Sequence, residues 1–383
     1  MTNIVSSLLI VISLSTYRQP EWKGVVEALQ TKHADMRCRV LTAGPSVLDA
    51  KLGIQELKPR YVAFVMEEKD VSRDTVKALR KMMRELDDDP FEDAIWGIVS
   101  GPDAATAKRI ASSNEPKEIR NILSTTGVGK DLAPGIISQL SDANPPPPPM
   151  ILDTTGEFRK GWNTDPELIV TSSHATERNL EMPFSRGNLL PDNGKFKVTS
   201  NLPLKAPTHE KVWIAPGNCL IANHKPGEHT MVMTALGWGK CNQFVGYIIE
   251  TWFGEIGWDT WKYFANYRYP MNESYYFANQ FLLKKLSEFK GAKSDQEYRG
   301  MVWDRDGTAF WGDPAQRIKL ADKELTALAD LPFGIVFPDA KPGRKLLSAP
   351  EGYEVFVADD FALLLKAPAP IPPNWRALLT FTP

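Results

Sequence analysis

The apolar positions of this chain fall into short continuous runs, separated by stretches in which they recur at helical spacing. In the first third, the runs at 8–14, 39–41, 61–66 and 94–99 read as buried strands, and the segments 21–32, 72–86 and 104–112 between them read as helices. The third strand-to-helix step is the clearest. Ser72 is placed to cap a helix whose one face carries Val76, Leu79, Met83 and Leu86. Apolar runs that alternate with helices predict a mostly parallel sheet covered on both faces, because such strands are buried on both sides.

The same alternation resumes later. Runs at 168–171, 212–215 and 243–250 read as strands, with a helix over 229–238. Between the two regions lie five consecutive prolines, Pro145 to Pro149, whose fixed φ and missing amide donors predict a stiff extended spacer. Past residue 330 the pattern becomes short β runs at 334–337, 353–358 and 361–365, broken by Pro and Gly. The expected organisation is an α/β unit over 1–143, a Pro-rich linker over 144–150, a second α/β unit over 151–330 and a β-rich extension over 331–383.

Composition narrows the function. A chain of 383 residues exceeds one ordinary core, and 43% hydrophobic with 24% charged residues is a globular balance. A formal charge of −2 without a Lys/Arg run argues against a nucleic-acid surface. The three cysteines, Cys38, Cys219 and Cys241, cannot form a disulfide framework, which fits a reducing, cytoplasmic setting. The run 8–14 is too short to span a bilayer and lacks a basic flank or small-residue cleavage site, so it reads as a first strand and no membrane partner is expected. The GVGK at 127–130 lacks P-loop spacing, and Asp87-Asp88-Asp89 lacks the spaced ligands of a calcium loop. No cofactor is implied.

Two segments share a shape that carries chemistry. In LIVTSSHATER a buried run ends in His174, and in VWIAPGNCLIAN another ends in Cys219. Sites of open α/β sheets assemble beyond the carboxyl ends of the strands, so neighbouring strands would deliver both side chains to one edge. An imidazole beside a thiol supplies the base that a cysteine nucleophile needs and the acid that its leaving amine needs. Gly217 and Asn218 favour a tight turn that exposes the sulfur. Cys38 and Cys241 have no such partner and read as structural.

SSHATERN, APGNCLIAN, GYIIETWFGEIGW and FWGDPA together resemble the gingipain-type cysteine peptidases of the caspase-like clan, and among them uncharacterised bacterial members. The resemblance spans about Leu8 to Arg317. It implies a caspase-like α/β fold of mostly parallel sheets flanked by helices, with two α/β subdomains and a peptide or protein substrate. It also implies Cys219 as nucleophile and His174 as base, with the N–H groups of Ala175 and Cys219 as oxyanion hole. Thr251, Trp252 and Phe253 would wall the substrate pocket, and Gly312-Asp313-Pro314 would be a structural turn. Where the family commonly has Gly after the His, this chain has Ala175. Asp93 and Asp153 are candidates for the acid that orients His174.

Two other readings compete. Cys219, His224 and His229 could make a zinc hydrolase, although the two histidines flank a Lys-Pro-Gly turn and do not share a helix face. Alternatively, the chain is a catalytically inactive caspase-like scaffold that binds protein partners. The aromatic cluster from Trp258 to Tyr269 reads as helix core, leaving Trp252 and Phe253 to line a pocket.

Overall fold

A computed structural model describes residues 7–126, 137–139, 154–183, 186–200, 202–321, 333–336, 344–358, 361–367 and 375–382. Its centre is a mixed ten-stranded sheet in the order Arg37–Ala43, Ser7–Ser13, Tyr61–Val65, Ile95–Val99, Thr308–Gly312, Cys241–Tyr247, Lys211–Ile214, Leu168–Val170, Ile122–Ser124 and Ile137–Gln139. The first four are parallel to one another, and so are the last five. The two blocks run in opposite directions. They meet at Thr308–Gly312, which is parallel to Ile95–Val99 and antiparallel to Cys241–Tyr247.

The expected local elements are present. Leu8 to Ile12 and Tyr61 to Val65 are buried throughout, as strands covered on both faces must be. Helices Pro20–Lys32, Arg73–Met83 and Ala104–Ser112 form where periodicity places them, and the Ser72 hydroxyl caps the second by accepting from Thr75 N–H at 3.2 Å. On that helix Val76, Leu79 and Met83 are at most 1% exposed, each burial worth roughly 1.5–3 kcal/mol. The helix expected over 229–238 is shorter, at Met231–Leu236.

Two features were not read from the sequence. Ile122–Ser124 and Ile137–Gln139, which lie in the expected first unit, pair on the side of the second, with Ile122–Ser124 registered against Leu168–Val170. Directly after His174 comes a four-stranded antiparallel sheet of Ala175–Thr176, Asn179–Glu181, Asn188–Asp192 and Lys195–Val198. Its last turn carries Asn193 and Gly194 at φ 49° and 73°, the left-handed pair of a tight hairpin. Near the C-terminus, Phe333–Val336, Phe361–Lys366 and Glu354–Val357 form the expected small antiparallel module. It docks through Phe361, whose ring lies 5.2 Å from Phe91 and 6.0 Å from Tyr276. The proline run lies outside the described residues.

Buried cations tie the halves across the seam. Asp313, just past Thr308–Gly312, is fully buried and takes Lys32 Nζ at 2.8 Å and His33 Nε2 at 2.7 Å from the end of the first long helix. The expected turn of FWGDPA is thus also an ionic clip. Burial would push the Asp313 carboxyl up, but the Lys32 ammonium and the His33 hydrogen bond outweigh it and hold it well below the usual carboxylate range. Arg80, also buried, donates to the Arg305 carbonyl at 2.7 Å and to the Tyr275 hydroxyl at 2.5 Å.

A depressed carboxylate stabilises above its unfolded pKa, near 4, and that contribution disappears as pH falls below it. Replacing Asp313 by Asn strands the buried Lys32 ammonium and should cost about 3–5 kcal/mol at pH 7. Urea unfolding at pH 7 and at about pH 2 should show a large loss at the first and a smaller one at the second. Equal midpoints for wild type and variant at pH 7 would show that the clip contributes nothing.

Candidate active site

The strands that end in the two candidate reactive residues are parallel neighbours, with Val212 opposite Leu168 and Ile214 opposite Val170. Both leave the sheet at the same edge, where residues 171–174 and 215–219 run on as adjacent loops. Cys219 is half-buried and His174 is exposed.

A continuous chain of hydrogen bonds joins these loops. The Trp213 indole N–H donates to the Thr171 hydroxyl at 3.0 Å, and that hydroxyl donates to Asn218 Oδ1 at 2.7 Å. Asn218 Nδ2 then donates to the Ser173 carbonyl at 2.8 Å. An indole N–H can only donate and a carbonyl can only accept, so both ends of the chain fix which way the Asn218 amide points. Asn218 is fully buried, and it secures the residue before the thiol to the residue before the imidazole. The loops also touch at Gly217, where a Cβ would stand 2.3 Å from Ser172 Oγ, so a larger residue there would make that hydroxyl turn away. On the far side, Ser173 Oγ donates to the Glu181 carbonyl at 2.7 Å and Glu181 N–H donates to the His174 carbonyl at 2.9 Å, bracing the His174 backbone against the hairpin.

The next strand, Cys241–Tyr247, is parallel to Lys211–Ile214 and brings Thr251 to the sulfur. The Thr251 N–H donates to Cys219 Sγ at 3.2 Å. The tight turn before the thiol is present at Pro216 and Gly217, and it is followed by a left-handed Leu220 at φ 55°, at a cost of roughly 1–2 kcal/mol, whose N–H is held by the Ile249 carbonyl at 2.9 Å. Trp252 and Phe253 follow, 49% and 40% exposed, with ring centroids 5.4 Å apart.

Helix Gln296–Arg305 holds this wall from behind at three points. Trp303 Nε1 donates to the Glu250 carbonyl at 2.8 Å, the Phe253 ring rests where any Cβ on Gly300 would stand, and Asp304 Oδ2 accepts from Ile256 N–H at 2.7 Å. Burial pushes the Asp304 carboxyl up to about 6, against the hydrogen bonds from Ile256 and Tyr247. Nothing in the sequence set this helix apart as a support.

Other candidates separate from the site. Ala175 is extended and not left-handed, paired with Leu180, so its Cβ is accommodated. Among the described residues no carboxylate bonds the His174 ring. Asp93 precedes Ile95–Val99, four strands away from Leu168–Val170, or roughly 19 Å at 4.8 Å per strand. Asp153 lies outside the described residues. His224 is buried with Nδ1 3.0 Å from the Thr230 hydroxyl and Nε2 2.5 Å from Glu68, and burial lowers its pKa despite that carboxylate. The zinc set of Cys219, His224 and His229 is therefore not assembled, and the described residues hold no group of three or more His, Cys, Asp and Glu placed for a metal. Cys241 is fully buried, its thiol pushed up to about 12 by burial, and burial also raises Cys38. Trp261, Tyr263, Phe264, Tyr267 and Tyr269 are core, as read from the sequence. No described helix is long and apolar enough to cross a membrane.

A mostly parallel sheet flanked by helices in this way is a caspase-like α/β fold. No protein-family model and no curated protein matches the chain. Among solved structures it is similar to the Arg-specific cysteine proteinase gingipain R (TM-score 0.55, 11% identity, covering 96% of this chain and 93% of that one). It is equally similar to a complex of the pro- and mature domains of that proteinase from Porphyromonas gingivalis (0.55, 10%, 98% and 99%). A structure described as a protease matches at 0.56 and 11%, covering 96% and 92%. At such identities the likeness establishes the shared fold.

Two outcomes follow from the loop contacts. Asn218→Ala leaves the Thr171 hydroxyl and Ser173 carbonyl without their buried partner and should cost about 1–3 kcal/mol in urea unfolding, with Asn218→Asp no better because it lacks the donor for Ser173. An unchanged midpoint in both variants would refute the bridging role. For Asp304, a folded pKa of about 6 lies above the unfolded value near 3.9, so its contribution is fully present below about pH 4 and is lost as pH rises through 6. Asp304→Asn keeps an acceptor for Ile256 without the charge. It should flatten that slope and gain up to about 3 kcal/mol at pH 7. A parallel pH profile in the variant would contradict this.

Proposed function

We propose that this protein is a cysteine endopeptidase. Cys219 gives its thiol proton to His174 and its sulfur attacks the peptide carbonyl, forming the C–S bond. The N–H groups of Ala175 and Cys219 receive the developing oxyanion, each such donor being worth about 3 kcal/mol of barrier. Collapse breaks the C–N bond, and His174 passes the proton to the departing amine. Water, deprotonated by His174, then resolves the thioester to a carboxylate and restores the thiol. The observation that supports this most is the pairing of two strand exits by Asn218, which sets a partly accessible sulfur and an exposed imidazole on adjacent loops. Thr251 reaches the sulfur, and with the exposed Trp252 and Phe253 that follow it would wall a peptide, the substrate class that the protease neighbours suggest.

The rival is an inactive scaffold of the same fold that docks a protein. It is favoured by the absence of a carboxylate on the His174 ring among the described residues, since such a partner usually orients the base.

An acyloxymethyl-ketone peptide probe separates the two. Wild-type protein should be labelled at Cys219, Cys219→Ala should not, and His174→Ala should react at least about 100-fold more slowly. Cys38 and Cys241 remain in all three as internal controls. Equal labelling of the three proteins, or none in any of them while all stay folded, would sink the peptidase reading.

A further inference from the structure

A concavity among the described residues lies away from Cys219. It is a cleft of about 960 Å³ between helix Arg73–Met83 and helix Gln296–Arg305, with the end of Met271–Glu288 at its floor. Lys77, Lys81 and Arg84 stand along one side at i, i+4 and i+7, one face of a helix spanning about 10 Å. Lys293, Arg299 and Arg305 stand along the other. Against these six cations the lining has two carboxylates, Glu85 and Asp306, and both are already paired. Glu85 lies 3.7 Å from Lys51 and from Lys81, and Asp306 lies 2.6 Å from Arg84 and 2.5 Å from Arg305. The floor between the rows is apolar, from Ile249, Leu283, Leu286 and Val302, with the Trp303 ring at its edge under Lys77 Nζ at 5.9 Å.

Arg84 places its positive charge beneath this surface. The Arg84 side chain is only 9% exposed, yet its Nη1 has no hydrogen-bond partner among the described residues, Nη2 alone reaching Asp306. A buried guanidinium nitrogen without an acceptor is costly, and burial lowers the pKa of this group even with Asp306 beside it. Nη1 has no surface open to the cleft, so Arg84 acts on an occupant through its charge and not through a hydrogen bond from that nitrogen.

The shape of the charge selects among anions. Two separated cationic rows over an apolar floor do not converge on one point as a phosphate cradle does, whereas an extended polypeptide offers carboxylates and apolar side chains at alternating positions. The cleft also adjoins the reactive loop. Ile249 lines it and its carbonyl holds Leu220, the residue after Cys219, and Trp303 lines it while holding Glu250.

We propose that this cleft docks an acidic, apolar-containing stretch of the polypeptide substrate, remote from the bond to be cut. The identity of the occupant as substrate rests on the peptidase reading; the binding itself does not. In full-length Cys219→Ala protein, a fluorescein-labelled peptide alternating Glu and Leu should bind with an affinity that falls as NaCl rises. Binding should weaken at least tenfold on adding Lys81→Glu and Arg299→Glu, and a Lys-for-Glu peptide should not bind. In otherwise wild-type protein, the same two substitutions should raise KM for a reporter that carries the acidic stretch, with kcat unchanged, and leave a reporter without it unaffected. Equal binding by the variant, equal binding of the Lys peptide, or binding of inorganic tripolyphosphate by a protein that ignores the peptide would overturn the proposal. Charge-dependent peptide binding with no cleavage of either reporter would instead remove the peptidase reading, and substrate as occupant with it.

Discussion

The amide of Asn218 sits where two strand exits meet, and its orientation is dictated from both ends. Trp213 can only donate, so the Thr171 hydroxyl passes its own proton to Asn218 Oδ1, and the remaining donor of the amide meets the Ser173 carbonyl. Aspartate would lack the donor and leucine would leave two buried polar groups unpaired. Because every member is buried or nearly so, the chain behaves as one unit, in which losing a member strands its neighbours. Its consequence is positional. The residues following Asn218 and Ser173 are Cys219 and His174, so neither loop can shift along the sheet edge without breaking the bridge.

A second line of support runs through the seam. Asp313 holds the end of strand Thr308–Gly312 to Lys32 and His33, and that strand is preceded within a few residues by helix Gln296–Arg305. The inner face of the helix carries Gly300, Trp303 and Asp304, each in contact with the segment 250–256, whose Thr251 N–H meets the sulfur. The buried ion pair is thus linked through this strand and helix to the segment 250–256. The ion pair is stabilising here because both hydrogen-bonding partners and a backbone N–H from Ala315 satisfy the carboxylate, which meets the condition under which burying a charge does not cost more than it returns.

Much of this was legible in the sequence, and the limits are physical. Strands and helices of the parallel blocks declare themselves locally, through apolar runs and the Val76, Leu79, Met83 face. His174 and Cys219 stood out because each follows such a run, and neighbouring parallel strands then place them at one edge. Strand order did not show, because pairing of Ile122–Ser124 with Leu168–Val170 depends on contacts between distant segments. The hairpin sheet after His174 had a signal in Asn193-Gly194, masked by Pro191 inside the preceding strand. His224 looked like a possible metal ligand only because its partner Glu68 is far away in sequence. Asn218 read as a turn residue, and its bridging role depends on Thr171 and Ser173 arriving from another strand.

The exposed ring of His174 bears on how such a site could work. In many cysteine and serine hydrolases a carboxylate fixes the tautomer and direction of the imidazole. Here the ring has no such partner among the described residues, while its backbone is held twice, by Glu181 at its own carbonyl and by Asn218 at the preceding one. If His174 is the base, as proposed, its orientation comes from the loop backbone rather than from a carboxylate on the ring. On the proposed reading, catalytic power is concentrated on the sulfur side, where Leu220 is held left-handed and the Thr251 N–H meets Sγ. A wall clamped at three points by one helix keeps the substrate near a rigidly placed thiol, and it is that placement, more than polarisation of the imidazole, that would supply the rate.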